Sequence, residues 1–117
     1  MKICYIVHPI GGNVEENLER IRLIVRDINL SYADVVPFAP YWLDCHALHD
    51  GDPQERERGF KNNTAILSRG MVDELWVYGD RISNGVWSEI QLAQALNIPV
   101  IAKTEAVSRI LNELSIH

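Results

Sequence analysis

Ile3-Cys4-Tyr5-Ile6-Val7-His8-Pro9-Ile10-Gly11-Gly12-Asn13-Val14 is the stretch whose reading decides the fold. Its first five residues are β-branched, aromatic or small and apolar, without polar alternation, so Ile3 to Val7 reads as a strand buried on both faces. His8-Pro9 stops the run, and the loop Pro9 to Gly12 follows directly. From Asn13 the period changes. Val14, Leu18, Ile21, Val25 and Ile28 recur at helical spacing, with Asn13 placed as N-cap and Glu16 three residues on to complete a capping box. A buried strand that turns through glycines into a capped helix is the opening of a parallel unit, because parallel strands require a crossover.

The rest of the chain repeats that grammar. Asp34 to Phe38 is a second short strand, checked by Pro37, Pro40 and the aromatic pair Tyr41-Trp42, and Ala39 to Gly51 shows no period and reads as a loop. Asp52-Pro53-Gln54-Glu55 is a helix start, with a capping Asp, Pro at the first helical position and Glu at the third; it predicts a helix from Pro53 to Arg69, closed by Gly70. Val72 to Tyr78 is a third strand ending at Gly79. Val86, Ile90, Ala93 and Asn97, flanked by Leu92 and Leu96, make a third helix capped by Ser83 or Asn84, and Ile98 to Ala102 is a fourth strand. Thr104 starts a last helix through Val107, Ile110, Leu111 and Leu114. This alternation predicts one α/β domain over residues 1–117. Its expected form is flavodoxin-like or Rossmann-like, three layers around a parallel sheet of about four or five strands joined by right-handed crossovers. Ligands of such sheets bind outside the carboxyl ends of the strands, which directs attention to the loops there.

Bulk properties bound the function. A chain of 117 residues buries one core, and 47% hydrophobic with 23% charged residues leaves no polar tract to set aside as disordered. The formal charge of −5 offers no basic patch for a phosphate backbone, so no nucleic acid polymer is expected as partner. A small anion remains compatible, because local backbone donors can outweigh net charge. No apolar run approaches the ~20 residues of a membrane span, and the start Met1 to Gly12 lacks a signal peptide's apolar region, so a cytoplasmic protein with no membrane partner is expected. Cys4 sits in the apolar run as a small hydrophobe, and Cys4 with Cys45 makes no disulfide framework.

The chemistry-bearing residues fall in the loops. Gly11 and Gly12, between a strand and a capped helix, let backbone donors approach an anion, or simply make a tight turn; the loop has neither a Walker ending nor a GxGxxG fingerprint. Glu89 lies four residues before Ala93 and seven before Leu96, so it shares their largely apolar stripe. A carboxylate there is stabilised by the helix dipole and, turned to a cleft, suits a nucleophile or general base; the plainer reading is that Glu is favoured near helix starts. Cys45-His46-Ala47-Leu48-His49-Asp50 contains ligand types but too local a spacing for a closed zinc site, so no metal is expected, and the absence of GxSxG disfavours a Ser-His-Asp hydrolase. Tyr41, Trp42 and Trp87 read either as cover for a base or subunit neighbour, or as core.

Taken together these segments resemble the nucleoside 2-deoxyribosyltransferase superfamily, including its 5′-monophosphate deoxynucleoside N-hydrolase branch and its bacterial and phage relatives. Tyr5-Ile6-Val7-His8-Pro9-Ile10-Gly11-Gly12 looks like that family's first strand and phosphate-holding loop, and Asp73 to Tyr78 like its third strand. Ser83-Asn84-Gly85-Val86-Trp87-Ser88-Glu89-Ile90, followed by Ala93 and Ile98-Pro99-Val100, resembles the segment carrying its catalytic glutamate. The resemblance implies that Glu89 attacks the anomeric carbon of a (deoxy)ribose to form a glycosyl ester, much as a carboxylate does in retaining glycosidases. It places Tyr5 as the residue orienting Glu89, Ser83 against phosphate or sugar, and the backbone of Gly11 and Gly12 around a phosphate. Two departures stand out. Where the family has an aspartate on the second helix, this chain reads Phe60-Lys61-Asn62-Asn63-Thr64, and His8 stands where many relatives have glycine.

The candidate site therefore has Glu89, Tyr5 and Ser83 in catalytic roles. For substrate binding it has His8, Pro9, Ile10, Gly11, Gly12 and Asn13 from the first loop, Tyr41 and Trp42, Asn63, and Gly79, Asp80, Asn84 and Gly85 around the third. The implied activity is a glutamate-dependent N-glycosidase or (deoxy)ribosyltransferase acting on a nucleoside or nucleotide without metal or organic cofactor. The alternative is a non-catalytic module that binds or sequesters a nucleotide-like signal in the same cleft, and a third is an interaction domain with a vestigial cleft. A homodimer or larger homo-oligomer is expected, since relatives complete their sites across an interface, with Tyr41, Trp42 and Trp87 as its anchors.

Overall fold

In the computed structural model, which describes residues 1–115, the apolar run of the opening stretch forms the inner strand β1 (Lys2–Val7). It lies between β2 (Val35–Phe38) and β3 (Glu74–Val77), with β4 (Val100–Ala102) beyond β3, in the order β2-β1-β3-β4. All three pairings are parallel; Tyr5 stands opposite Phe38 and Leu75, and Val77 opposite Val7 and Ala102. The connections are α1 (Val14–Ser31), α2 (Tyr41–Ala47), α3 (Pro53–Leu67) and α4 (Asn84–Ala95), and α5 (Glu105–Ser115) follows the last strand. This is a three-layer, flavodoxin- or Rossmann-like α/β fold with a four-stranded sheet.

Burial follows the pleat. Cys4, Tyr5, Ile6 and Val7 are wholly buried, as a strand covered on both faces requires. Tyr5 and Val7 share one face with Leu75 and Val77, packed on Leu67, Val86, Ile90 and Ala93. Cys4 and Ile6 point the other way, to Trp76, Val35 and Ile28. At the start of α1 the Asn13 side chain accepts from the Glu16 N–H (3.1 Å) and its amide donates to the Glu16 carboxylate (3.2 Å), so the cap forms and its acidic half closes on the side chain. Asp52 caps α3 in the same manner, accepting from Gln54 and Glu55.

Several boundaries differ from the sequence reading. The segment Ala39 to Gly51 is not all loop, because Tyr41 to Ala47 form α2. This helix is too short to show a period and is held by tertiary contacts: the Tyr41 hydroxyl donates to the Ile6 carbonyl and the Trp42 indole to the Leu18 carbonyl (2.9 Å). The third strand is shorter than Val72 to Tyr78, since the Asp73 carboxylate takes the Ile3 N–H (2.8 Å) in place of a ladder carbonyl. The fourth begins at Val100, after a proline that has no N–H to give. The helix from Pro53 stops at Leu67, before Arg69. Asn97 is not helical; it adopts φ 59°, a left-handed conformation that asparagine tolerates, and reverses the chain after α4. Among the described residues no helix is long and apolar enough to cross a membrane.

Candidate functional site

The loops that leave β1 and β3 are forced together at the carboxyl edge of the sheet. Gly79 sits at φ 104°, and a Cβ there would lie 2.7 Å from Pro9 Cδ, so the close approach of the two loops requires glycine. The first loop is also tied from within and from across. Asn17, a buried polar residue one turn into α1, donates through its amide to the carbonyls of Ile10 (2.9 Å) and Gly11 (3.1 Å). Arg81 donates from the third loop to the same Gly11 carbonyl (2.7 Å). Ser83 caps α4, its Oγ accepting from the Val86 N–H (3.3 Å). That bond gives the hydroxyl a structural task beside any contact with ligand.

Between these loops and the helices α2 and α3 lies a cavity of about 500 Å³. Its volume lies in the range of small-molecule sites. Glu89, on the second turn of α4, forms part of its wall. The carboxylate Oε2 is sealed from solvent and has no hydrogen-bond partner. Burial pushes this carboxyl up to about 7, and the nearby Tyr5 hydroxyl partly opposes the rise by favouring the charged form. Tyr5 is wholly buried, and its hydroxyl likewise lacks a partner at hydrogen-bonding geometry. Burial, and then the Glu89 charge, drive the Tyr5 hydroxyl far above the ordinary tyrosine range, and Tyr41 shifts the same way for the same two reasons. The site thus holds one buried carboxylic acid of near-neutral pKa against two phenols that stay protonated.

Of the residues singled out in the sequence, Glu89, Ser83, His8, Ile10, Gly11, Tyr41, Asn63, Asn84 and Gly85 converge on this cavity. Tyr5 stands outside its wall. Pro9, Gly12, Asn13, Trp42, Gly79 and Asp80 do not line it either. Gly79 and Asp80 border a smaller groove of about 350 Å³ on the other side of His8. Tyr41 is buried in the core as well as lining the cavity, and Trp42 and Trp87 are partly buried against that core. Asn63 also presents a buried Oδ1 without a partner.

The residue-level reading missed Asp44, Leu48, Glu55, Arg56, Phe60, Arg81 and Ile82 on the cavity wall. Asp44 belongs to the helix that was read as loop, and its carboxylate accepts from the Asn62 amide (3.1 Å). Phe60, 44% exposed, lines the cavity with its ring edge 3.5 Å from where a Gly85 Cβ would be. Cys45, His49 and Asp50 also line the cavity. The Cys45 thiol is pushed up to about 11, first by burial and then by Asp50, Asp44 and Glu89, so it is a neutral thiol at physiological pH. Among the described residues no group of three or more His, Cys, Asp and Glu is arranged to hold a metal.

The model of a domain of unknown function, DUF7768, matches residues 2–103. The chain belongs to the DUF7768 family. No curated protein and no solved structure matches it. The DUF7768 segment spans β1 to β4, and so contains every cavity residue named above, while α5 lies beyond it. His8, the last member of the site, is 7% exposed and ends β1 with its Nδ1 2.7 Å from the Pro9 carbonyl oxygen.

Proposed function

We propose that this DUF7768 chain cleaves the N-glycosidic bond of a nucleoside or nucleotide, with Glu89 as nucleophile. One observation carries the reading: a carboxylate whose Oε2 has neither solvent nor a protein partner, on the wall of a cavity of about 500 Å³. A buried polar atom left without a partner costs about 1–3 kcal/mol, so it is retained where it has work to do. A lone pair of the Glu89 carboxylate attacks C1′ of the bound sugar. The C1′–N bond breaks, its electron pair leaves with the base, and the base takes a proton from solvent. Water then adds to C1′ and gives up a proton, the bond from C1′ to the carboxylate breaks, and the carboxylate is restored as the free sugar departs. A second base in place of water gives transfer.

The other cavity groups fit the same substrate class. Phe60 offers an aromatic face on which a base can stack, as base–aromatic stacking contributes about 1–3 kcal/mol. Arg81 supplies a cation beside Gly11, where a 5′-phosphate would gain charge-assisted hydrogen bonds. The non-catalytic alternative is favoured by Asn63, which stands on α3 where an acid would help the chemistry, since an amide can hydrogen-bond a base but cannot protonate it. Incubation with the ribo- and deoxyribonucleosides and their 5′-monophosphates, followed by chromatography, tests the reading. Free base from the unmodified protein and none from Glu89→Gln supports glycosidase action. Intact ligand recovered bound to both supports sequestration and overturns it.

A further inference from the structure

The groups assigned so far include no base for the second half of the reaction. Glu89 is itself the leaving group when water attacks the glycosyl ester, and Tyr5 and Tyr41 are held as neutral phenols. Of the other titratable groups on the wall, His49 and Asp50 are exposed and Asp44 is bonded to Asn62, whereas His8 is buried. It is buried at the carboxyl end of β1, it lines the cavity that holds Glu89, and it also lines the smaller groove of about 350 Å³ on its other side. His8 therefore borders both the reaction cavity and a second, smaller groove.

The hydrogen bond at His8 fixes its tautomer. A carbonyl oxygen only accepts, so the Nδ1 atom 2.7 Å from the Pro9 oxygen carries the proton. In the neutral ring Nε2 is then a bare lone pair. Burial lowers the proton affinity of the ring, and the Pro9 hydrogen bond opposes that less strongly. The charged groups around it are Arg20 from α1 and Arg81 from the β3–α4 loop, which disfavour the cation, and Asp80 from that loop, which favours it. His8 is thus a neutral imidazole of defined tautomer at the pH where Glu89 ionises.

We infer that His8 is a second catalytic group of this cavity, the general base that takes the proton from the water attacking the Glu89 glycosyl ester. This rests on the reading of Glu89 as nucleophile. As the water oxygen bonds to C1′, the electron pair of the bond between C1′ and the carboxylate returns to Glu89, and one water proton passes to His8 Nε2. The imidazolium then releases that proton to solvent, and the groove bordered by Asp80 and Arg20 gives it a way out that avoids the occupied cavity. The activity so completed is hydrolysis rather than transfer, since a base positioned for water serves the hydrolytic step.

The test separates the two halves of the reaction. His8→Asn keeps an amide N–H near the Nδ1 position for the Pro9 carbonyl and deletes Nε2, and His8→Gln supplies a second variant with a different reach. On whichever nucleoside or 5′-monophosphate of the panel the unmodified protein cleaves fastest, the variants should release one equivalent of base in a burst. They should then turn over about 100-fold more slowly, within the range usual for general-base loss. Azide, a nucleophile with no proton to remove, should restore their turnover and yield the glycosyl azide. In the unmodified protein, ring 15N shifts should report Nδ1–H and a bare Nε2 at neutral pH. Unchanged turnover, equal slowing of burst and steady state, no azide rescue, or the opposite tautomer overturns the role of His8 and leaves Glu89 standing. Absence of any Glu89-dependent base release from the unmodified protein overturns both.

Discussion

The Tyr5 hydroxyl and the Glu89 carboxylate approach each other where β1 meets α4, close enough that the phenol stabilises the ionised carboxylate, yet both Tyr5 Oη and Glu89 Oε2 lack a partner at hydrogen-bonding geometry. Two buried polar groups left in this state are a local cost of the fold. Hydrogen bonds of this kind tighten when a substrate fills the site. The pair therefore links β1, the most buried strand, to the helix carrying the reactive group, and the first predictions concern it.

Glu89 should make the protein less stable as pH rises. Its carboxyl titrates near about 4.3 in an unfolded chain but is raised to about 7 in the fold. Between those values the folded state holds a proton that the unfolded state has lost, so stability is full below the lower value and declines until the upper is passed. At about 1.4 kcal/mol per pH unit the loss amounts to at most about 4 kcal/mol. Glu89→Gln removes the titration, and urea unfolding at pH 8 should find the variant more stable than the parent, with the gap closing toward pH 4. A parent whose stability rises over that interval would contradict the burial argument.

Tyr5→Phe separates orientation from packing. The lost hydroxyl has no partner, so the folding stability should change by less than about 1 kcal/mol. The Glu89 carboxyl, deprived of its only stabilising neighbour, should titrate higher, and the acidic limb of the rate profile should move to higher pH. Calorimetry and a pH–rate profile read the two effects. An unmoved acidic limb would show that Tyr5 only fills space.

Gly79→Ala should be costly although the residue does not line the larger cavity. Its φ of 104° is unfavourable for any side chain, and the new Cβ would meet Pro9 Cδ at 2.7 Å. Strain of this type costs about 1–3 kcal/mol, and relief by parting the two loops would widen the cavity. Thermal unfolding should show a lowered Tm together with weakened ligand binding.

Arg81→Ala tests the anionic side of the site. Arg81 is exposed, so stability should change little, while the KM for 5′-monophosphates should rise about tenfold, the equivalent of about 1.4 kcal/mol. The KM for unphosphorylated nucleosides should stay near its original value. Equal effects on both would show that Arg81 acts only by holding the Gly11 carbonyl.

The parts of the fold legible in the sequence are those governed by local rules. A run with four wholly buried residues, Cys4 to Val7, could only be an inner strand, and Asn13, Asp52 and Ser83 each cap the helix that follows them. What local rules could not supply is set by distant contacts. The helix Tyr41–Ala47 depends on the Ile6 and Leu18 carbonyls, 35 and 24 residues from the side chains that bond them. With that helix unread, Asp44 stays off the candidate site, and nothing in the sequence brings Cys45, His49 and Asp50 to the same wall as Glu89. Arg81 and Phe60 left no signal, since a loop arginine and a helical phenylalanine are ordinary until the cavity between them is seen. Asn17 did leave one: a polar residue beside Leu18 on the apolar side of α1, whose amide shapes the first loop.

The most direct measurement of the central claim is the mass of the peptide containing Glu89 after rapid acid quenching of the protein turning over its best nucleoside or 5′-monophosphate. The account predicts an added glycosyl group, localised to Glu89, that disappears on longer incubation and never forms in Glu89→Gln. Base release with Glu89 unmodified at every quench time, or release that persists in Glu89→Gln, would contradict it.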